Sequence, residues 1–158
     1  MTASVVFALL LALACCPISQ AAQSYPGSGL EVDDAHVLPY VIDDLPAGAA
    51  ALGVTTERIA DVVEARLRRA GIRPESEVLR DYHLLVRIRI AGQAFQVSLL
   101  FVRTVTYTSR ETRFVLAAPT WEAGSIGALE SNAANVVASL DPLLDRFLTA
   151  FLAVNQSY

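Results

Sequence analysis

The chain has 158 residues, a net charge of −4, and twelve basic residues that are all arginine. An acidic chain of this kind lacks the basic surface that general nucleic-acid binding needs to neutralise phosphates, which argues against that class of function. Its length suits one domain that buries a core of its own, and beyond the first 21 residues no apolar stretch is long enough to cross a membrane.

Residues 1–21 have the pattern of a secretory signal peptide. An apolar core runs from Val5 to Cys16, and it is shorter than a bilayer-spanning helix. Ser19 and Ala21 fit a small-residue cleavage site, in which the residue before the cut and the one two positions earlier are small. The sequence therefore predicts export, with the mature chain in the periplasm or secreted.

The two cysteines of the chain lie in this segment. Cleavage after Ala21 removes both, so that the mature chain has no disulfide, no thiol nucleophile and no thiolate metal ligand. As an alternative, Cys15 or Cys16 becomes the lipidated first residue of a lipoprotein, although each matches only half of the usual pattern. A further alternative is that the segment is retained as an anchor.

The rest of the chain is predicted to form a flexible leader, residues 22–35, and a single α+β domain, residues 36–158. The leader is polar and contains glycine and proline, which is typical of poorly ordered ends. The segment "HVLPYVIDDLP" then predicts a first strand. We expect it at an edge of the sheet or distorted, because Pro39 lacks the backbone donor that a ladder needs.

The segment "GVTTERIADVVEARLRRAG" predicts a helix. Thr55 can cap its start, Glu57 lies favourably in its first turn, and Gly71 suits the left-handed position after its end. Apolar residues recur at helical spacing and form one buried stripe: Ile59, Val62, Val63, Leu67 and Ala70.

Two strands with alternating apolar residues follow, joined by a predicted turn at Ala91–Gly92. This turn pairs residues whose numbers sum to 183, so that Leu84 lies opposite Leu99 and Tyr82 opposite Phe101. All such pairs on this face are apolar, which indicates a hairpin with one buried face.

A second turn is predicted near Ser109–Arg110. It would place Phe114, Leu116 and Ala118 on the helix-facing side, opposite Val105, Arg103 and Phe101. Arg103 would then point inward, and we expect it to reach an end of the sheet or to pair with a carboxylate. Pro119 would end the strand, and residues 120–127 would cross the end of the sheet as a loop with two glycines.

The last segment has apolar residues at helical spacing and is interrupted by Pro142, either as a kink or as the start of a second helix capped by Asp141. The predicted order is β-α-β-β-β-α. This order indicates an α+β fold, a two-layer sandwich of a mainly antiparallel sheet with helices on one face.

Three short motifs occur in the chain: a helix ending in Leu-Arg-x-x-Gly-Ile, a Thr-Trp-Glu near glycine, and a C-terminal Phe-x-x-x-x-Leu-x-x-Asn. They lie at Leu67 to Ile72, at Thr120 to Gly124 with Gly127, and at Phe147, Leu152 and Asn155. Together they resemble the motifs of a family of small exported bacterial proteins of unknown function. The resemblance covers about residues 50–155 and implies export and a small α+β domain, but no activity.

The sequence carries few signals for chemistry. His36 and His83 belong to no spaced ligand set, and the acidic pairs Asp33–Asp34 and Asp43–Asp44 match no calcium loop. Nucleophile-elbow and phosphate-binding motifs do not occur. We therefore expect no metal, no cofactor and no catalytic residues. An enzymatic function is uncertain and is not favoured.

Four residues are candidates for contact with a partner. Trp121 and Glu122 lie on the predicted loop, where the indole is either a lid over the sheet or an exposed contact anchor. Arg87 and Arg89 lie on the outer sheet face. The favoured function is a non-catalytic envelope module that binds a protein partner or associates with itself. The alternative is a small-ligand carrier or hydrolase whose site forms only in three dimensions.

Overall fold

The computed structural model describes residues 29–76, 80–129 and 133–155. The predictions for residues 1–21, including both cysteines, and for residues 22–28 lie outside this part of the chain. The helices and strands, in chain order, are β1 (Val37–Ile42), α1 (Thr56–Arg69), β2 (Arg73–Ser76), β3 (Tyr82–Ala91), β4 (Ala94–Ser109), β5 (Thr112–Ala128), α2 (Ala134–Ala138) and α3 (Leu140–Asn155).

The strands form one mixed sheet in the order β2-β1-β3-β4-β5. The α+β class is confirmed, whereas the predicted element order is wrong because it omits β2 and α2. Strand β1 runs parallel to both of its neighbours, and only β3, β4 and β5 pair antiparallel. The sequence did not indicate β2 because its four residues are polar or proline and show no buried alternation.

Of the two alternatives predicted from Pro39, an edge strand or a distorted one, the edge position is wrong for β1. It lies between β2 and β3, and its ladder with β3 begins only at Tyr40, opposite Leu84. The proline therefore stands one residue before the first pair of that ladder. On its other side, Pro39 pairs with Glu75 of β2, so it lies within a ladder of an interior strand.

Helix α1 forms as the sequence predicts. The Thr55 side chain accepts the backbone N–H of Arg58 at 3.3 Å, and Gly71 has a φ of +78° just after the helix. The stripe of Ile59, Val63 and Leu67 is fully buried. These residues pack with α3 and one face of the sheet in a single core.

Both hairpins are shifted by two residues from the predicted registers. Ile88 pairs with Val97 across a turn at Gly92–Gln93, and Val105 pairs with Leu116 across a turn at Arg110–Glu111. Because side chains alternate with a period of two, a shift of two residues changes every partner but leaves every side chain on its predicted face.

Strand β5 does not end at Pro119, and residues 120–127 do not form a loop. Pro119 pairs with Val102, and pairing then continues to Ala128 after a bulge at Thr120. The proline is tolerated because β5 is the edge of the sheet. Gly127 serves packing rather than turning, since a Cβ there would lie 2.7 Å from the ring of Phe95.

The final helical segment is split rather than kinked. Helix α2 ends at Ala138, and α3 begins at Leu140 with Pro142 in its first turn, where a missing N–H is harmless. Asp141 lies inside that turn, so the predicted start at Pro142 with a cap at Asp141 is wrong. Within the described ranges, no helix is both long and apolar enough to cross a membrane.

Candidate functional site

The β4–β5 hairpin extends beyond the rest of the sheet. Tyr82 begins β3 and lies opposite Arg103, whereas β4 continues to Ser109. Residues 104–117 therefore form a two-stranded ribbon, which we call the arm, flanked by no third strand among the described residues. At about 3.4 Å per residue, the arm reaches roughly 20 Å past the end of β3.

One face of the arm is apolar. Tyr107 and Phe114 are cross-strand partners whose rings stack with centroids 4.8 Å apart and an interplanar angle of 13°. The next pair toward the sheet is Val105 and Leu116. By strand alternation, all four side chains lie on the same face as Phe101 of the core.

The packed core ends where the arm begins. On this face its last members are Phe101, fully buried, and Trp121, whose indole meets the Phe147 ring edge-on at 5.3 Å. Beyond them the side chains are open to solvent, with Tyr107 50 % and Phe114 40 % exposed. The aromatic pair therefore continues the core face without the helix that covers it elsewhere.

Exposed apolar surface is concentrated in the arm. Of the five large apolar side chains that are exposed among the described residues, four lie there; the fifth is Ile126 on the outer face of β5. Scattered exposed apolar residues are normal, but a contiguous group marks a contact surface. Three of the four, Tyr107, Phe114 and Leu116, share the apolar face of the arm, whereas Val115, opposite Thr106, points to the other face.

A polar cleft of about 560 Å³ lies at the base of the arm. Its ionisable lining residues are Glu31, Asp33, Asp34, His36 and Arg103. Arg103 is on the same strand face as Tyr107, so that the cleft and the apolar arm face lie on one side of the molecule. Its guanidinium is 3.9 Å from the Glu31 carboxylate, which confirms the expected carboxylate partner for this inward arginine.

Asn155 forms the inner wall of this cleft and anchors the segment before β1. Its Oδ1 accepts the Val32 N–H at 3.0 Å, while its Nδ2 donates to the Leu30 and Phe151 carbonyls. Leu30 is itself buried in the core. The described part of the expected leader, residues 29–35, is therefore packed on the domain.

The bulge in β5 also contacts this segment. The Thr120 hydroxyl donates to the Gly29 carbonyl at 2.7 Å, and Gly29 has a φ of +77°. A Cβ on Gly29 would lie 2.5 Å from the Thr120 Cβ. Only glycine fits this approach, which holds the start of the described chain against the base of the arm.

The four residues predicted to contact a partner do not lie together. Trp121 is a half-buried strand residue on the helix-covered face, and Glu122 points from the opposite face into solvent. Arg87 and Arg89 lie on that outer face, and both bind Oδ2 of Asp43, at 2.9 and 3.2 Å. The structure brings the two arginines together, but separates them from the indole.

The charged groups on the outer face form ordinary ion pairs that are partly exposed to solvent. The hydrogen bond from Arg87 lowers the pKa of Asp43, which keeps this carboxylate ionised in mildly acidic solution. His83 lies on the same face, with its Nδ1 buried and without a hydrogen-bond partner among the described groups. Burial lowers the pKa of this imidazole, so that it is neutral at pH 7.

A second cleft, of about 320 Å³, lies between β1 and α1. The Tyr40 hydroxyl donates to the Glu64 carboxylate at 2.7 Å, and Arg68 binds the other oxygen of Glu64. Burial, with the nearby carboxylate, raises the pKa of Tyr40 to about 12, and the Tyr40 hydrogen bond lowers the pKa of Glu64. This network joins a helix to a strand and presents no activated nucleophile.

Within residues 29–76, 80–129 and 133–155, no three histidine, cysteine or acidic side chains lie close enough together to hold a metal ion. Arg66, in the last turn of α1, binds Asp141 and Asp145 at 2.8 and 3.0 Å and so joins α1 to α3.

Sequence reasoning did not identify the arm as a site. The alternation of threonine with apolar residues in "TVTYTS" predicted a strand correctly, and an alternating strand is normally covered on its apolar face. The sequence did not show how far β3 extends alongside β4. Because β3 pairs no further than Arg103, the same pattern becomes an exposed face.

Comparisons with known proteins do not place the chain in a family. No model of a protein family matches it, and no curated protein matches its sequence.

Proposed function

We propose that the protein is a non-catalytic binding module that contacts a protein partner, or a second copy of itself, through the arm. The observation that carries this proposal is the exposed apolar face of the arm, with the stacked Tyr107–Phe114 pair at its centre. Aromatic side chains that stay exposed in the free protein are typical of interface anchors.

The position of this face supports the proposal. The arm is a ribbon of two strands, which is marginally stable in water without packing on one face. Contact with a partner would cover the aromatic pair and supply the missing layer, as α3 does for Phe101 and Trp121. The proposal therefore accounts for both the length of the hairpin and its composition.

We further propose that the module acts outside the cytoplasm. The apolar core and cleavage pattern of residues 1–21 support export to the periplasm or secretion. The resemblance to small exported bacterial proteins points to the same compartment. Asn155, one residue of the shared motifs, has a structural role in this chain, because it anchors Leu30 and Val32 to α3.

Site-specific photo-crosslinking in cells tests the proposed surface. A photoreactive phenylalanine analogue at position 114 is expected to form a covalent adduct with the partner. The matched control has the same analogue at position 126, because Ile126 is 78 % exposed on β5 but lies outside the arm. Adducts at neither position, or equally at both, would contradict the proposal.

A second variant checks that the adduct depends on the apolar face. Tyr107→Ser with Leu116→Ser removes exposed apolar groups and is expected to abolish the adduct at position 114. The two side chains are 50 % and 42 % exposed and lie outside the core, so we expect the fold to be retained. Circular dichroism and urea unfolding of this double variant serve as the folding control.

A further inference from the structure

We infer that the arm takes up an extended segment of a protein partner as an additional antiparallel strand along β5. This inference rests on the proposed function and states the chemistry of the partner, which is an apolar strand with a carboxylate opposite Arg113. In strand addition, backbone hydrogen bonds supply the affinity and the alternating side chains supply the specificity.

The backbone of β5 is open on one side. This strand is the last in the sheet order, so that among the described residues it has a neighbour on one side only. Ser109 and Thr112 flank the two-residue turn and form the first hydrogen-bonded pair of the hairpin. Because bonded and non-bonded pairs alternate, the odd-numbered residues 113–117 direct their N–H and C=O groups away from β4. Pro119 agrees with this pattern, since its nitrogen also faces away from β4 and no ladder bond is lost.

The two edges of the sheet differ in how they are protected against another strand. The edge strand β2 has only four residues, Arg73–Ser76, and they include a proline and two charged side chains. Short length, proline and charge are features that prevent strand addition. From Phe114 to Ala118, β5 has neither a charged residue nor a proline. This part of the arm is therefore open to an incoming strand.

The regular part of this edge, which we call the free edge, runs from Thr112 to Ala118. Beyond it, Pro119 lacks a backbone donor, and β5 bulges at Thr120, whose hydroxyl donates to the Gly29 carbonyl. An incoming strand therefore has space to pair over roughly 20–25 Å, at about 3.4 Å per residue.

Charge on the free edge selects the partner. Arg113 is exposed and forms no ion pair with another described residue. It lies opposite Thr108, on the face of the arm away from the aromatic pair. An opposite charge directly across a strand pair is favourable and a like charge is unfavourable, so that a strand with a carboxylate opposite Arg113 is preferred.

A second copy of the free edge does not supply this carboxylate. Arg113 is the one charged residue between positions 112 and 118 of the sequence. Two free edges paired with each other would therefore bring two arginines and no acid. This charge pattern favours a separate protein as the source of the strand.

The apolar side chains of the free edge lie on both of its faces. Phe114 and Leu116 are on the face of the aromatic pair, and Val115 is on the other face. All three are exposed. Side chains on neighbouring strands pack directly against each other, so an incoming strand with three apolar residues at these positions would contact both faces. Strand addition therefore accounts for Val115, which the apolar face alone does not explain.

Peptide binding to the full chain provides the test. The probe is the capped peptide Thr-Thr-Val-Val-Val-Glu-Thr, whose glutamate lies opposite Arg113 in the antiparallel register, and the control peptide has lysine in place of glutamate. Calorimetry is expected to show saturable binding, about fivefold tighter for the glutamate peptide than for the lysine peptide. In Arg113→Glu, the order of the two peptides is expected to reverse.

Backbone methylation of the peptide tests the hydrogen bonds. The N–H of the middle valine faces Val115 and bonds to it, so N-methylation there is expected to abolish binding. The N–H of the third valine points away from β5, and its methylation is the matched control, which is expected to leave binding unchanged.

Two readouts on the protein test the same geometry. The amides of Val115 and Ala117 are expected to exchange rapidly in the free chain and slowly with saturating peptide, whereas those of Phe114 and Leu116 are bonded to β4 and exchange slowly in both. Val115→Pro removes an edge donor without removing a bond to β4, and is expected to abolish peptide binding. Val115→Thr keeps the donor and is the control, with circular dichroism as the folding check.

Three results would overturn the inference. The first is a native chain that shows no saturable binding of the glutamate peptide up to millimolar concentration. The second is equal binding of the two methylated peptides. The third is a preference for the glutamate peptide that persists in Arg113→Glu.

The proposed function and this inference fail in distinguishable ways. If position 114 crosslinks to another protein in cells and Val115→Pro leaves that adduct unchanged, the binding function stands and strand addition is wrong. If position 114 crosslinks to nothing, the proposed function is wrong and the inference falls with it. A self-adduct that Val115→Pro removes would identify a second copy as the source of the strand and overturn the separate partner. An adduct with another protein that is lost in Val115→Pro and kept in Val115→Thr supports both.

Discussion

The β4–β5 hairpin passes through two environments, and the comparison between them explains where a partner is expected. Near Phe101 one face is covered by α3, and the aromatic side chains form the core with Phe147 and Phe151. Near Tyr107 and Phe114 the same alternation continues, but the described structure places no helix on this face. Strand pattern alone therefore does not distinguish a core from a contact surface.

The two regions also differ in how they are supported. Around the core, hydrogen bonds of Asn155 and Thr120 tie the segment before β1 to α3 and β5. The arm is held by its own ladder and the stacked aromatic pair, and at its base the Thr104 N–H donates to the Asp81 carbonyl at 2.6 Å. We expect the domain outside the arm, which we call the body, to contribute most of the free energy of unfolding. The arm should contribute little of it.

The largest expected difference comes from removing one aromatic ring in each region. Phe101→Ala leaves a cavity in the core and should lower the free energy of unfolding by about 3–5 kcal/mol. Phe114→Ala removes a ring that is 40 % exposed and lies outside the core, and should lower it by less than about 1 kcal/mol. Urea unfolding measures both values, and equal losses would show that the assigned faces are wrong.

The anchoring of the segment before β1 is tested by Asn155→Ala. The change removes the hydrogen bonds of Asn155 to the Leu30 carbonyl and the Val32 N–H, and should lower the free energy of unfolding by about 1–3 kcal/mol. Hydrogen exchange at the Val32 amide should become faster. Gln96→Ala, at an exposed position of β4, is the control; similar losses from the two variants would argue against the anchor.

Ionisation of Tyr40 tests the packing of α1 on β1. Its pKa of about 12 lies above the ordinary value of 10, so the stability it contributes is full below pH 10 and is lost as the pH rises toward 12. The near-ultraviolet absorbance should show a late phenol titration that Tyr40→Phe removes. The same variant should cost about 1 kcal/mol at neutral pH; an unchanged titration would contradict the assigned network.

Arg87→Ala probes the outer face of the body. Its ion pair with Asp43 is partly exposed, and such pairs contribute about 1 kcal/mol or less. The melting temperature of Arg87→Ala should therefore be only slightly lower than that of the native chain. The difference should become smaller still at high salt. A loss of several kcal/mol would indicate that this face is covered as well.

The smallest expected effect is spectroscopic and reports the boundary between the two regions. The chain has a single tryptophan, and Trp121 packs on Phe147 at the last covered position. Its emission should be blue-shifted and poorly quenched by iodide relative to the unfolded chain, and Phe114→Ala should leave it unchanged. A water-like, readily quenched emission in the native protein would place the boundary elsewhere.

Local patterns predicted those parts of the fold that depend on neighbouring residues along the chain. Helix α1 with its Thr55 cap and Gly71 end is an example, because capping and helical periodicity are local. The strand faces of β3 and β4 are another, because alternation survives a two-residue error in register. The prediction for the contact residue Trp121 was wrong in one respect, because it assigned this residue to a loop, whereas it lies in strand β5.

By itself, the sequence determined the α+β class, the buried stripe of α1 and the apolar alternation of β4. Tertiary structure decided that β1 is interior, that Trp121 lies in a strand, and that Asn155 holds Leu30 and Val32. It also decided that β3 stops opposite Arg103 while β4 and β5 continue. The physical reason is that alternation along a strand determines which side chains share a face. What covers that face is determined by the arrangement of segments that are distant in the sequence.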